Sequence, residues 1–332
     1  MGLIKPTNIG TDIFKAAEFL RNNETVGIPT ETVYGLAANA LNEVAVAKIF
    51  EVKNRPFFDP LIVHIKNVSQ IPLYARDVPN LALQLAEEFW PGPLTFVLKK
   101  QGIVPDLVTS GGDTVALRMP NNEMTLELLN KLDFPLAAPS ANPFTYVSPT
   151  SAAHVLDQLD GKIPYILDGG NCQVGIESTI VRVLEDTIEI LRPGGISEDA
   201  LRDFLPDVNV VGFQERSSSP IAAPGQLEHH YSPFCKLYPA EVYSQLNVSI
   251  DAVIYWSKDS KKKSNSTMEE FYLTEDGNFL EGSKNLFSLL RRLDKENFKN
   301  VLFEWAPNEN LGVAINDRLK RASVKRVSII KD

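Results

Sequence analysis

The 332 residues suffice for one large domain or two of ordinary size, and 44% apolar against 23% charged residues is the balance of a globular chain, not a disordered or fibrous one. The net charge of −9 falls on residues 1–205 (16 Lys and Arg against 25 Asp and Glu), while residues 206–332 carry 17 of each; there is no chain-wide basic character for nucleic acid, so an anionic ligand must meet a local cluster of cations. Two cysteines, Cys172 and Cys235, make neither a disulfide framework nor a metal-ligand set, no apolar run is long enough for a membrane span, and the first residues lack a signal-peptide core, so a cytoplasmic protein is expected.

Thr11 stands where it can cap a helix to about Arg21, with Ile13, Phe14, Ala17 and Leu20 on one face. A strand follows at Thr25–Ile28, then a helix at Glu43–Glu51 capped by Asn42, and a buried strand at Leu61–Ile65. The pattern continues with a helix at Asn80–Phe89, strands at Leu94–Lys99 and Thr114–Arg118, a helix at Glu123–Leu132 and a short strand at Pro135–Ala138. A helix at Ser151–Leu159 precedes strands at Tyr165–Leu167, Ser178–Val183 and Ile188–Leu191. This mixture predicts an α/β domain over residues 1–211 around a twisted mixed sheet. Residues 212–234 lose the apolar period, hold three consecutive serines and three prolines, and read as a linker. Beyond it, Ala252–Trp256, Gly282–Phe298, Asn300–Trp305, Asn308–Ala322 and Val324–Ile330 alternate strand and helix, which predicts a small parallel three-layer domain over 235–332, with Lys258–Glu270 as a surface loop.

Three segments carry candidate chemistry: Gly27–Ala40, Lys53–Pro56 and Ser140–Phe144. In GIPTETVYGLAANA, Thr30, Glu31 and Thr32 cluster where a strand stops, either as a ligand site or as a cap and turn. Lys53 and Arg55 precede Pro56, which disfavours a helical Arg55; the pair suits a polyphosphate, or simply a helix C-terminus. Ser140, Asn142, Thr145, Ser148, Thr150 and Ser151 fill a Pro-constrained loop, which either binds ribose or phosphate oxygens or makes ordinary turns. Thr114, Arg118, Ser178 and Arg192 sit in or beside apolar strands, where a polar side chain needs a reason. His64, inside an apolar strand, fits a satisfied core histidine. No P-loop, no GxGxxG after a strand, no HExxH, CxxC or GxSxG occurs, and His229–His230 have no partners at metal spacing; this argues against a P-loop NTPase, a nicotinamide dehydrogenase, a zinc hydrolase and a serine esterase.

The strings PTETVYGLAANA, KNRP-x3-PLIVHI, FWPGPLT, VALRMP, APSAN, DGG-x-C-x-VGIESTIV and LRPGGIS, in this order, resemble the YrdC-like family. With APGQLEHHYSP in the linker and GVAINDRLKRA near the end, the chain is similar to the longer, two-domain threonylcarbamoyl-AMP synthases of that family; Gln226 replaces the usual Met, and Asp59 stands where Asn is more usual. The resemblance implies a YrdC-like twisted sheet around a large concave cavity and a small Rossmann-like C-terminal domain. It also implies an enzyme that converts L-threonine, bicarbonate and ATP into threonylcarbamoyl-AMP and pyrophosphate, for modification of the adenosine beside the tRNA anticodon. Mg2+ is expected with the ATP, with no organic cofactor and no metal held by the protein's own ligands.

Carried over to this sequence, Lys53, Arg55, Ser140, Asn142, Ser148 and Arg192 face ATP, with Thr114, the Ala138 backbone and Tyr231 lining that site. Lys53 and Arg55 are the catalytic candidates. Arg118 takes the threonine carboxylate, with Thr32, His64 and Ser178 around the amino acid. Pro224-Gly225 and His230-Tyr231-Ser232 are expected to form a lid. Downstream tRNA-modification enzymes are expected partners, whether tRNA itself is contacted being left open, and no membrane is expected. Two other readings stay open on the residues alone: an RNA-binding module without catalysis, and carbamoyl or adenylyl transfer to another acceptor.

Overall fold

The computed structural model describes residues 6–214, 231–259 and 268–327, with side chains to residue 323. The chain divides into two compact units, one of Met1–Phe144, Ser148–Gln173 and Glu177–Gln226, the other of Thr145–Val147, Val174–Ile176 and Leu227–Asp332.

The first unit is built on a mixed sheet whose strands run, edge to edge, Asn8–Gly10, Tyr165–Leu167, Val26–Ile28, Gly35–Asn39, Leu136–Ala137, Ile62–His64, Thr114–Arg118, Leu94–Lys100, Thr179–Val183, Thr187–Arg192 and Asn209–Val211, with Ala75–Arg76 beside Leu94–Lys100. Period-2 alternation decides which side chains meet the core. Val115 and Leu117 point into a large apolar cluster with Val63, Phe96 and Leu98, covered by helices Glu43–Lys53, Asn80–Phe89 and Ala152–Leu159. The opposite parity of the central strands carries the smaller cluster Ile62, Val97, Ala116, Ile180 and Leu191, and on the same parity lie Thr114, Arg118, His64 and Thr95. At the other end of the sheet, helices Ile13–Arg21 and Glu123–Lys131 bury Ala17, Leu20, Leu128 and Leu129 against Val26, Ile28 and Ala37.

Local signals set most helix starts. Asn42, Asn122 and Ser151 each cap the following helix by accepting from a backbone N–H three residues on. The first helix departs from expectation: Asp12, not Thr11, is the cap, its carboxylate accepting from the Lys15 N–H.

The second unit has a four-stranded, all-parallel sheet in the order Lys236–Pro239, Asn300–Phe303, Ala252–Ser257, Glu269–Thr274. Helices Phe279–Lys295 and Gly312–Val327 touch each other and flank it. On the strand parity of Tyr238, Val253, Tyr255 and Leu302, partly buried Val242, Leu246 and Ile250 complete a separate apolar cluster. Strands 236–239 and 269–274 were not expected, the latter ending the proposed 258–270 loop early. The expected strand Val324–Ile330 is overturned over 324–327, which continue the helix from Gly312; residues 328–330 lie outside the described part. The alternation in VKRV is too short to oppose a helix already propagating, for which each added residue gains a hydrogen bond at no nucleation cost.

Candidate functional site

The Pro29–Val33 loop follows strand Val26–Ile28. The Thr30 hydroxyl donates to the Val33 carbonyl, accepts from the backbone N–H groups of Thr32 and Val33, and lies 2.8 Å from the Thr32 hydroxyl. Thr30 thus shapes a tight side-chain turn. No helix follows it, so the helix-cap alternative is removed: the chain re-enters the sheet at Gly35–Asn39. The loop is tied across to the Pro139–Ala141 segment, since the Leu36 N–H donates to the Pro139 carbonyl and the Ala141 N–H to the Tyr34 carbonyl. The buried Tyr34 hydroxyl donates to the Gly170 carbonyl and accepts from the Gly169 N–H, which fixes the Asp168–Gly170 turn to the same place. Two of the three candidate segments are therefore adjacent.

The third joins them through Lys53. Lys53 ends its helix, Asn54 turns the chain at φ 51°, and the Lys53 ammonium is buried, donating to the Ser140 carbonyl and, at 2.6 Å, to the Asn142 carbonyl. Its own carbonyl accepts from the Phe144 N–H at 2.8 Å. Burial, and after it the Arg55 charge, pulls the Lys53 pKa well below the usual lysine value. The helix-end placement holds, and the side chain also clamps the loop. Asn142, wholly buried, donates to the Pro143 carbonyl at 2.8 Å.

Arg55 turns back on its own loop. It donates to the Asp59 and Pro60 carbonyls and forms a buried ion pair with the Asp59 carboxylate at 2.9 Å. Burial raises the Asp59 pKa against the opposing pull of Arg55, Lys53 and Arg192. A carboxylate among three cations had no role in the sequence reading, and its signal was the unusual Asp itself. Arg192 ends strand Thr187–Arg192 and grips Ser178, whose carbonyl accepts from both Nε and Nη2 and whose hydroxyl lies 3.2 Å from Nη2. The Ser178 hydroxyl also meets that of buried Thr95 at 2.8 Å, and Ser148 donates to Glu177 at 2.6 Å; Thr95 and Glu177 are further polar groups that the sequence reading passed over.

Strand Thr114–Arg118 links the two halves of the candidate set. Its neighbour Ile62–His64 runs parallel, with Ile62 opposite Ala116 and His64 opposite Arg118, and the Ala138 N–H donates to the Ile62 carbonyl. Thr114 and Arg118 thus lie on one face about 13 Å apart, at about 3.3 Å per residue. Arg118 is buried, donates from Nε to the Gly92 carbonyl, and pairs with Glu31 at 2.7 Å. His64 is buried, and no described residue hydrogen-bonds its Nδ1; burial first, then the adjacent Arg118 charge, lowers its pKa to about 3 against the opposing pull of the Leu136 and Ile62 backbone, so it stays neutral. Cys172, pushed up to about 12 by burial with Glu31 the next cause, is a protonated thiol here.

Tyr231 belongs to the second unit. It adopts φ 61°, is buried, stacks on Phe287, and has the Arg318 guanidinium 5.3 Å from its ring centre. The expected lid residues Pro224, Gly225 and His230 lie outside the described part. Among the described residues no group of three or more His, Cys, Asp or Glu is arranged to hold a metal, and no helix is long and apolar enough to cross a membrane.

Comparison with known proteins adds an independent line. A Sua5–yciO–yrdC family model, described as telomere recombination, matches residues 18–194, and a model for the threonylcarbamoyl-AMP synthase C-terminal domain matches residues 196–324. The chain is 40% identical over 321 residues to a threonylcarbamoyl-AMP synthase of Pyrococcus abyssi, covering 94% of each. It is 37% identical over 328 residues to one of Bacillus subtilis, covering 95% of this chain and 94% of that protein. The crystal structure of P. abyssi Sua5 complexed with L-threonine superposes with a TM-score of 0.84 at 38% identity, covering 95% of this chain and 94% of that one.

Proposed function

Because the chain belongs to the Sua5–YciO–YrdC family and carries its threonylcarbamoyl-AMP synthase C-terminal domain, we propose that it joins L-threonine, bicarbonate and ATP into threonylcarbamoyl-AMP with release of pyrophosphate. The observation that carries this reading is the likeness, over nearly the full length of both chains, to the P. abyssi threonylcarbamoyl-AMP synthase in sequence and to the P. abyssi Sua5 structure complexed with L-threonine in fold. The product would serve threonylcarbamoyl modification of tRNA in the cytoplasm, delivered to downstream modification enzymes.

The arrangement of charge supports it. Two anions, a carbamate and a triphosphate, must approach each other, and the barrier is their repulsion. Arg55 and Arg192 supply fixed positive charge in a desolvated setting, and Lys53 holds the Ser140–Asn142 backbone so that its dipoles are oriented toward the proposed nucleotide. Ser148, Thr114 and Ala138 complete the proposed nucleotide set. Mg2+ enters as part of the nucleotide substrate. Arg118 takes the amino-acid carboxylate, the neutral His64 offers Nδ1 as an acceptor for the threonine hydroxyl, and Thr32 and Ser178 stand beside them. No covalent intermediate with the protein is called for; positioning and electrostatics do the chemistry.

The test is pyrophosphate release from ATP and bicarbonate with each of the twenty amino acids in turn. Release that depends on threonine is the expected result. Equal release with several amino acids, or none with threonine, would refute the proposal.

A further inference from the structure

The carboxylate of Glu31 has no task in the account so far. It lies in the loop after strand Val26–Ile28, 4% exposed, with Oε2 2.7 Å from Arg118 Nη2, and neither carboxylate oxygen forms a well-aligned hydrogen bond with any described residue. A buried carboxylate oxygen without a donor calls for an explanation. The groups facing it are the Arg118 guanidinium from strand Thr114–Arg118 and the protonated Cys172 thiol from the loop after strand Tyr165–Leu167; neutral His64 lies beside Arg118 on the adjacent strand. The Thr30 and Thr32 hydroxyls are engaged with each other and with the loop backbone. Arg118 donates to Gly92 from Nε and faces Glu31 with Nη2, so Nη1 remains for a ligand.

A buried Arg–Glu pair with spare capacity on both members complements an α-amino acid zwitterion: the guanidinium takes the carboxylate and Glu31 takes the ammonium. An ammonium nitrogen has no lone pair, so carbamate formation requires it to lose a proton first. Resting on the reading of this site as one for threonine, we propose that Glu31 is the base that removes that proton. In the first step R–NH3+ and the Glu31 carboxylate become R–NH2 and the Glu31 carboxylic acid. In the second, the nitrogen lone pair forms the N–C bond to bicarbonate and the C–OH bond breaks. The departing hydroxide leaves as water with the second N–H proton, giving R–NH–COO−. The sum is R–NH3+ plus HCO3− to R–NH–COO− plus H2O, with one proton held on Glu31. Positioned proton transfer of this kind contributes about 10²–10⁴-fold in rate.

The test uses the full-length protein with L-threonine, bicarbonate and ATP. Glu31→Gln should lower pyrophosphate release by at least about 100-fold at pH 7.5, with the KM for ATP unchanged. The deficit should shrink at least about tenfold by pH 9.5, where solution supplies neutral amine, and Glu31→Asp should retain more activity than the amide. Wild-type turnover in Glu31→Gln, or a deficit equal at both pH values, would overturn the proposal, since a merely structural carboxylate leaves the pH profile alone. A second measurement needs no variant: calorimetry of the wild-type protein with L-threonine and with 2,3-dihydroxybutanoate, in which a hydroxyl replaces the ammonium. Threonine should bind at least about tenfold more tightly, as a charge-assisted contact demands; equal affinities would sink the role of Glu31. Failure of the wild-type protein to release pyrophosphate with threonine would instead strike the functional reading, and the calorimetric comparison still decides on Glu31.

Discussion

Replacing His64 with Gln should change how the stability of the chain responds to acid. In the folded protein the imidazole is buried beside Arg118, and its pKa falls to about 3 against an ordinary 6.5. The folded state therefore binds no proton at this ring while the unfolded chain takes one up below pH 6.5. Stability from His64 is fully present above pH 6.5 and is lost as pH falls toward about 3, at about 1.4 kcal/mol per pH unit. Between pH 6.5 and 4.5 the loss is about 2.3 kcal/mol. Carboxylates titrate over part of the same range, so the informative quantity is the difference between wild type and His64→Gln in paired urea melts at pH 7.5, 6.5, 5.5 and 4.5. The wild-type midpoint should fall faster with acid by that amount, while above pH 6.5 the two stay a constant distance apart. Parallel curves across the whole range would refute the idea that a neutral, buried imidazole sits beside Arg118.

Arg118→Ala should raise the threonine requirement roughly 10- to 150-fold, the equivalent of about 1.5–3 kcal/mol for a charged hydrogen bond, and leave the ATP requirement nearly unchanged; steady-state kinetics with each substrate varied would show an equal loss for both if the assignment were wrong. Asp59→Asn should abolish a pH dependence of ATP binding. With its pKa raised, Asp59 protonates at a higher pH than an ordinary aspartate and leaves the cations around it less compensated, so wild-type affinity should tighten with acid and the variant's should stay flat in calorimetric titrations. Gly194→Ala places a Cβ 2.4 Å from the Glu177 carbonyl oxygen and from backbone atoms of Ser178 and Thr179, none of which is a flexible chain end, so destabilisation of about 3 kcal/mol is expected in denaturant melts.

The parts of this fold that were legible in the sequence are those where local pattern and tertiary demand agree. Strand Thr114–Arg118 and helix Asn80–Phe89 appear at their expected bounds because alternation or period 3.6 runs unbroken through them. Strand Gly35–Asn39 was illegible: Gly-Leu-Ala-Ala-Asn has no β-branched or aromatic residue, and its pairing with Val26–Ile28 and Leu136–Ala137 makes it a strand. The candidate site shows the same division. Lys53 and Arg55 were visible as a cationic doublet at a helix end. Their partners were not, because Lys53 reaches carbonyls 87 and 89 residues away. Glu31 could be seen at a strand end among threonines, yet its pairing with Arg118, on a strand beyond several others in the sheet, follows from topology alone.

Strand Thr114–Arg118 behaves as a ruler with a fixed scale. Its inward-facing residues Val115 and Leu117 are locked into the core, so a slip of one position would turn Thr114 and Arg118 into that core and bring two apolar side chains out to replace them. Sliding is therefore closed to evolution as a way of adjusting the distance between the two ends. A lineage that came to use a larger or smaller acceptor could change the residue at one mark of the ruler or the loop above it, and the other mark would stay where it was. With the proposed roles of Arg118 and Thr114, preference for the amino acid and grip on the nucleotide would drift as separate traits, carried by one piece of backbone that holds them in register.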